Sequence, residues 1–348
     1  MRWWKYLAAL SIPLACTVSL TGTGWVTFSG VMYAFIALPL IEMAMGTSGR
    51  NLDAAEKAVA EADRGYDLLL YLMVPLQWAF VVFYLIQIQE PGISTTTFVG
   101  RTTALGMMCG VVGINVGHEL GHRTKAYEQF FAKALLLSSQ YTHFFIEHNQ
   151  GHHKHVATPE DPATARFNEP VYVFWIRSTI NSYRSAWEIQ RKDRKRKKYG
   201  LFSPKHEMLW YTLFQLAVIA AIGLWAGVVP MLGYLGAATF GFLLLETVNY
   251  IEHYGLLRAK VNERRYVNVE PVHSWNSNHV AGRVVLFELT RHSDHHHNPQ
   301  KKYQVLDTIE RAPQLPTGYP GMMVLSLLPP VWFAVMNPRV KALAPVSG

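Results

Sequence analysis

Residues 66–88 read YDLLLYLMVPLQWAFVVFYLIQI, an apolar run long enough by itself to cross a lipid bilayer. A helix rises about 1.5 Å per residue through a hydrocarbon core about 30 Å thick, so about 20 apolar residues suffice. Five further runs surround it, at about 6–26, 28–45, 98–117, 208–228 and 231–251. Composition agrees: of 348 residues, 50% are hydrophobic and only 16% are charged, against about 25% in soluble domains. The sequence therefore predicts an all-α integral membrane protein with six transmembrane helices, organised as a single membrane-embedded domain over 1–348. Two long segments, at about 118–206 and 252–348, lie outside the predicted spans.

The first run opens with Arg2 and Lys5, as a secretory signal would. It is too long for one and a second span follows at once, so it reads as a retained helix. The loops around Thr23, Gly92 and Val229 carry no Lys or Arg, and Arg101 is the only basic residue near that face. The positive-inside rule then places both termini and the two long segments in the cytoplasm. Gly106, Gly110, Gly113 and Gly117 have the small-xxx-small spacing that lets helices approach closely. Phe130–Phe145 is read as a helix on or in the interface. Met322–Met336, broken by Pro329-Pro330, is read as a peripheral or re-entrant segment. DAAEKAVAEAD at 53–63 reads as a short solvated helix, and the ending ALAPVSG at 342–348 is compatible with a linker. The formal charge is +8, and the basic run Arg191–Lys198 suits anionic lipid headgroups or an acidic protein. Nucleic acid is excluded beside so many spans.

Nine histidines fall into four clusters: His118 and His122; His148, His152 and His153; His253; and His292, His295 and His296. Neutral imidazole suits iron, zinc, copper and nickel, and such ions rarely take more than about six donors. Nine donors exceed one ion. Shared between two ions they leave coordination positions open, which is the mark of catalysis rather than a structural clamp. Residues four apart share a helix face, so His118 with His122, and His148 with His152, can each converge on one side. His153 and His296 then stand about 100° around from their neighbours. No catalytic residue is expected outside this metal site.

Cys16 and Cys109 both fall inside predicted spans and form no CxxC, so any iron–sulfur or rubredoxin-type centre belongs to another chain. GxGxxG and GxxxxGK are absent, so no bound flavin or nucleotide is expected.

Two other readings stand beside a dinuclear oxygenase. HELGH at 118–122 is a literal HExxH, the zinc-protease signature, but a zinc protease needs only one more ligand and leaves most clusters unexplained. A metal transporter would place its ligands near the bilayer midplane in broken helices, whereas these gather at one face. Soluble di-iron bundles use two ExxH pairs and two further glutamates. Glu119 with His122 is the only ExxH touching the clusters.

HELGHR at 118–123, EHNQGHHKHVATPEDPATAR at 147–166, NYIEHYGL at 249–256 and LTRHSDHHHNP at 289–299 resemble the histidine boxes of the membrane-bound alkane 1-monooxygenase family, within the fatty-acid desaturase and hydroxylase superfamily. The resemblance covers nearly the whole chain. NYIEHYGL and the TPEDPA continuation favour the alkane hydroxylase branch over desaturases, with xylene monooxygenase the nearest alternative. Carried over residue by residue, it implies the same nine histidines as ligands of two iron ions.

It further implies terminal hydroxylation of medium- to long-chain n-alkanes, with dioxygen and electrons from rubredoxin (a rubredoxin reductase upstream), at a bacterial inner membrane. Metal-bound histidines usually donate their second N–H to a carboxylate or carbonyl, and Glu119, Glu147, Asp161, Glu252 and Asp294 adjoin the clusters as candidate acceptors. Phe35, Ile36, Leu38, Gly110, Gly113 and Gly117 are the candidates for lining a substrate tunnel between the spans.

Overall fold

A computed structural model describes residues 2–263 and 265–343, so most of the expected linker-like ending lies outside the described residues. The N-terminal run is helical over residues 3–21, wound tightly as a 3₁₀ helix from Trp3 to Leu10 and then as α1 (Ser11–Thr21). Five helices among the described residues are long and apolar enough to cross a membrane. They are α2 (Gly24–Met45), α3 (Gly65–Gln87), α4 (Thr95–Gly121), α7 (Glu207–Ala226) and α8 (Val228–His253). Between them lie α5 (Ala126–Ser138) and α6 (Val171–Lys197), and α9 (His292–His297), α10 (Tyr319–Ser326) and α11 (Pro329–Leu343) follow. The run predicted at about 6–26 is not among the five. Its start is held in a polar setting, where Tyr6 donates to Glu288 at 2.8 Å and Lys5 lies 3.4 Å from the same carboxylate.

Helices α4 and α8 form the axis of the bundle. A Cβ on Gly110 would stand 3.1 Å from the carbonyl of Gly241, and one on Gly241 would stand 3.1 Å from that of Gly106. The small-residue face of α4 thus lets two backbones touch. Gly113 and Gly117 point elsewhere, against Ser139 and Leu136 at the end of α5. Arg101 is 2% exposed and clamps the far end of the bundle, donating to the carbonyls of Gln87 (2.7 Å) and Gly22 (3.0 Å) and pairing with Glu90 at 2.7 Å. It is a sealed structural cation, not a surface charge of that face.

The segments outside the spans pack over the C-terminal ends of α4 and α8. The Phe130–Phe145 run is not one helix: α5 stops at Ser138, Gln140 turns the chain at φ 53°, and a new helical turn starts at Phe144. The C-terminal run splits at residues 327–328 into α10 and α11, with Trp332 packed on Tyr250 and Tyr254 at ring separations of 5.2 and 5.3 Å. The helix Ala54–Ala62 is closed by a capping box between Asp53 and Glu56. Strand is confined, among the described residues, to the hairpin of Lys260–Asn262 with Arg265–Tyr266.

Candidate metal centre

His118 and His253 are carried by the last turns of α4 and α8, which end at the same face. Each of the other histidine boxes folds over that face as a short helical piece. Two sets result: His118, His122, His148, His153 and His295 in one, and His152, His253, His292 and His296 in the other. Within each set the ligand atoms lie within 4.8 Å of one another. All nine histidines singled out in the sequence fall in these sets.

The ring nitrogens face inward. Nε2 of His118 lies 3.0 Å from that of His295, His148 lies 3.1 Å from His122, and His153 lies 3.0 Å from His148. In the second set His292 is 3.1 Å from His253 and 2.8 Å from His296, while His152 is 3.3 Å from His296. Metal–nitrogen bonds of about 2.0–2.1 Å place neighbouring ligands of one ion about 2.9–3.4 Å apart. The observed separations match the edges of such a polyhedron closely. Hydrogen bonds do not explain them, because a neutral imidazole carries one N–H and His292 Nε2 has two ring neighbours at once.

One spacing argument is corrected. His148 and His152, four apart, enter different sets, and His148 converges instead with His153. The reason is local: His148–His152 forms a π-helical turn, whose wider winding changes which residues share a side. Such turns are frequent at functional sites, and a second, Cys109–Ile114, precedes His118 in α4. In HSDHH, His292 and His296 share a set and His295 leans to the other.

Burial pushes the imidazoles of His122, His148, His153, His292, His295 and His296 well below their ordinary range. They are neutral, as metal ligation requires. His152 is the exception. Burial opposes its protonation, but Asp161 beside it holds its pKa up. His152 Nδ1 donates to Asp161 Oδ2 at 2.9 Å, and that carboxylate is fixed by Thr164 Oγ1 (2.6 Å) and the Ala163 N–H (3.1 Å).

The other expected acceptors divide. Glu252 Oε2 lies 3.2 Å from His292 Nε2. Glu119 accepts instead from Arg123 at 2.8 Å and from the Tyr303 N–H at 3.2 Å. Asp294 accepts from the Asp307 N–H at 2.7 Å and pairs with Lys301. Burial pushes Glu147 up to about 8, leaving it neutral and a weak acceptor for a ring N–H.

An apolar cavity of about 80 Å³ reaches the two histidine sets, with His118, His148, His292 and Glu252 in its lining. Phe35, Leu38 and Gly110 line it, as expected. Ile36 does not and is 50% exposed on the outer side of α2, while Gly113 and Gly117 pack on α5. Leu244, Val248 and Asn249 also line it. Leu244, Val248 and Glu252 follow one another at intervals of four on α8, with Asn249 beside them, a stripe the sequence offered and the histidines overshadowed. A second apolar cavity shares Phe35, Leu244 and Met323 with the first.

The fatty acid desaturase family model matches residues 94–326 of the chain. The alkane 1-monooxygenase 1 of Pseudomonas aeruginosa is 39% identical over 351 residues, covering 98% of this chain and 90% of the relative. The alkane 1-monooxygenase of Pseudomonas putida is 37% identical over 320 residues, covering 91% and 79%. The xylene/toluene monooxygenase hydroxylase component of Pseudomonas putida is 28% identical over 288 residues, covering 79% and 74%.

Proposed function

This chain belongs to the fatty acid desaturase family, among the alkane 1-monooxygenases, and on that footing we propose that it hydroxylates the terminal methyl of medium- to long-chain n-alkanes. The observation that carries the reading is that members of both histidine sets line one apolar cavity. The alkane lies along the cavity, and its end is delivered to the rings of His118, His148 and His292. Terminal selectivity follows from shape and positioning. The second cavity, which shares the lining residues Phe35, Leu244 and Met323 with the first, suits a sideways approach of a lipid-dissolved substrate past those side chains.

The nine histidines hold two iron ions, five nitrogens on one and four on the other. Zinc has the same appetite for imidazole but no redox chemistry. When bound, iron supplies the two-electron reduction of dioxygen, one atom entering the alkane and the other leaving as water. The chain's part is to present neutral nitrogens and to fix His152 in one tautomer through Asp161. It also keeps water from the reacting end.

Two electrons and two protons are consumed per turnover, and Cys16 and Cys109 are both buried and unpaired. Electrons therefore come from a separate carrier, rubredoxin, reduced by its own reductase. The clustering of basic residues at the metal face supports a cytoplasmic orientation in a bacterial inner membrane, with the whole chain acting as one membrane-embedded unit.

The test is metal analysis of the purified protein, followed by product analysis with an n-alkane, oxygen and a rubredoxin reducing system. Two irons per chain and a 1-alkanol product are expected. A single zinc ion, or no terminal alcohol with iron fully loaded, overturns the reading.

A further inference from the structure

Glu252 is a carboxylate with no solvent role. It is 1% exposed, on the last turn of α8, and it faces the junction of the apolar cavity with the second histidine set. Its two oxygens are held differently. Oε1 accepts from the hydroxyl of Tyr319, which is fully buried, at 2.8 Å. Oε2 lies 3.2 Å from His292 Nε2, the ring nitrogen that faces the metal set rather than its rear. Asp161 offers the contrast, since it touches the rear nitrogen of His152.

A hydrogen bond from His292 does not account for this arrangement. The same nitrogen already stands 2.8 Å from His296 Nε2 and 3.1 Å from His253 Nε2. One proton on one nitrogen cannot serve three neighbours, whereas a cation placed among them serves all. The carboxylate stands just outside the four-nitrogen set, on its cavity side. Oε1 is anchored by Tyr319, so Oε2 is the oxygen turned toward that set.

We propose that Glu252 is a fifth donor to the four-histidine ion, and that Tyr319 is the positioning residue that holds its other oxygen. This rests on the two-iron reading above and deepens it. The donor count becomes five at each ion, but the charges differ. The first set has five neutral nitrogens, whereas the second has four with one carboxylate, and Asp161 stands behind it. A bound carboxylate neutralises part of the ion's charge, which favours the ferric over the ferrous state. The two irons are thereby made inequivalent, and the iron in the four-histidine set is the more easily oxidised.

The experiment uses the full chain in lipid nanodiscs, loaded anaerobically with Mössbauer-active ferrous iron. Wild type, Glu252→Gln, Glu252→Ala and Tyr319→Phe are compared by Mössbauer spectroscopy and by release of iron to a chelator. Wild type should show two ferrous doublets. Glu252→Ala should lose or alter one of them and release that iron faster, leaving the other unchanged. Tyr319→Phe should keep both irons but shift the same doublet, with affinity for that ion about 10-fold weaker, as for other supporting contacts at metal sites. Should Glu252→Ala not fold, the isosteric Glu252→Gln carries the same reading.

Both doublets and both release rates unchanged in Glu252→Gln and Tyr319→Phe would overturn the assignment while leaving two-iron binding intact. A wild-type chain that fails to hold two irons overturns the two-iron reading itself, and this inference with it.

Discussion

His152 Nδ1 lies 2.9 Å from Asp161 Oδ2, the one contact among the described residues in which a carboxylate meets the rear nitrogen of a clustered histidine. Nine residues of chain separate the two, and the intervening turn exists to fold the carboxylate back. Replacing Asp161 by Asn keeps the shape and removes the charge that fixes the ring's tautomer. Iron affinity of the four-histidine set should fall about 10–100-fold, measured by chelator competition. An unchanged affinity would mean that Asp161 only shapes the loop.

Each set can be addressed separately. His295→Ala should lower iron in the five-nitrogen set and His152→Ala in the four-nitrogen set, with turnover abolished in both. Variants that keep full iron and full activity would remove these rings from the metal centre.

The cavity sets chain length through residues that line it. Phe35→Ala should extend preference toward longer alkanes, because Phe35 lines both apolar cavities and its loss would open one to the other. Gly110→Ala should shift it toward shorter ones, since the added Cβ would stand 3.0 Å from Leu244 in the cavity wall. Gly113→Leu should instead lower stability without moving the profile, because that position faces Ser138 and Ser139. Product profiles over an alkane series, at equal iron content, decide this.

Glu288 ties the N-terminal segment to the metal face, 2.7 Å from Arg283 and 2.8 Å from the Tyr6 hydroxyl. Burial works against its charge, yet Arg283, then Arg291 and Lys5, hold its pKa below the ordinary carboxylate range. Unfolding returns it to that range, so the unfolded chain binds the proton first. Its contribution to stability is present above the ordinary carboxylate pKa and is lost as pH falls through the lower folded value. Glu288→Gln should lower stability by about 3–5 kcal/mol at neutral pH, because it takes the counter-charge from the buried Arg283. It should also flatten the acid limb of a melting-temperature series, and a parallel limb would remove Glu288 as its cause.

Docking of the electron carrier should depend on charge. In the basic end of α6, Arg191 and Lys192 pair with Glu188, and Arg196 and Lys197 pair with Asp193. Arg194, Lys195 and Lys198 stand outside those pairs. Reversing these three should raise the apparent KM for rubredoxin and weaken its salt dependence, because exposed charges act over a Debye length of about 8 Å at physiological salt. A KM indifferent to both salt and charge reversal would place docking elsewhere.

The sequence by itself determined the solvent, the set of candidate ligands and the class of chemistry. Apolar runs of span length are a local property, and nine histidines in four boxes can be counted without knowing the fold. Tertiary structure decided the partition of those rings. His118 meets His295 across 177 residues of chain, and a π-helical turn sends His148 and His152 to different sets. No local periodicity encodes either fact, because both depend on how helices rotate and dock.

The same holds for the carboxylates. All five are beside a box in sequence, yet Glu119 is drawn away by Arg123 while Glu252 is turned inward by Tyr319, a partner 67 residues on. It holds also for the glycines of α4, where Gly110 faces α8 and the cavity, and Gly113 faces α5. Successive residues on a helix differ in direction by about 100°. Which direction matters is settled only by what packs there.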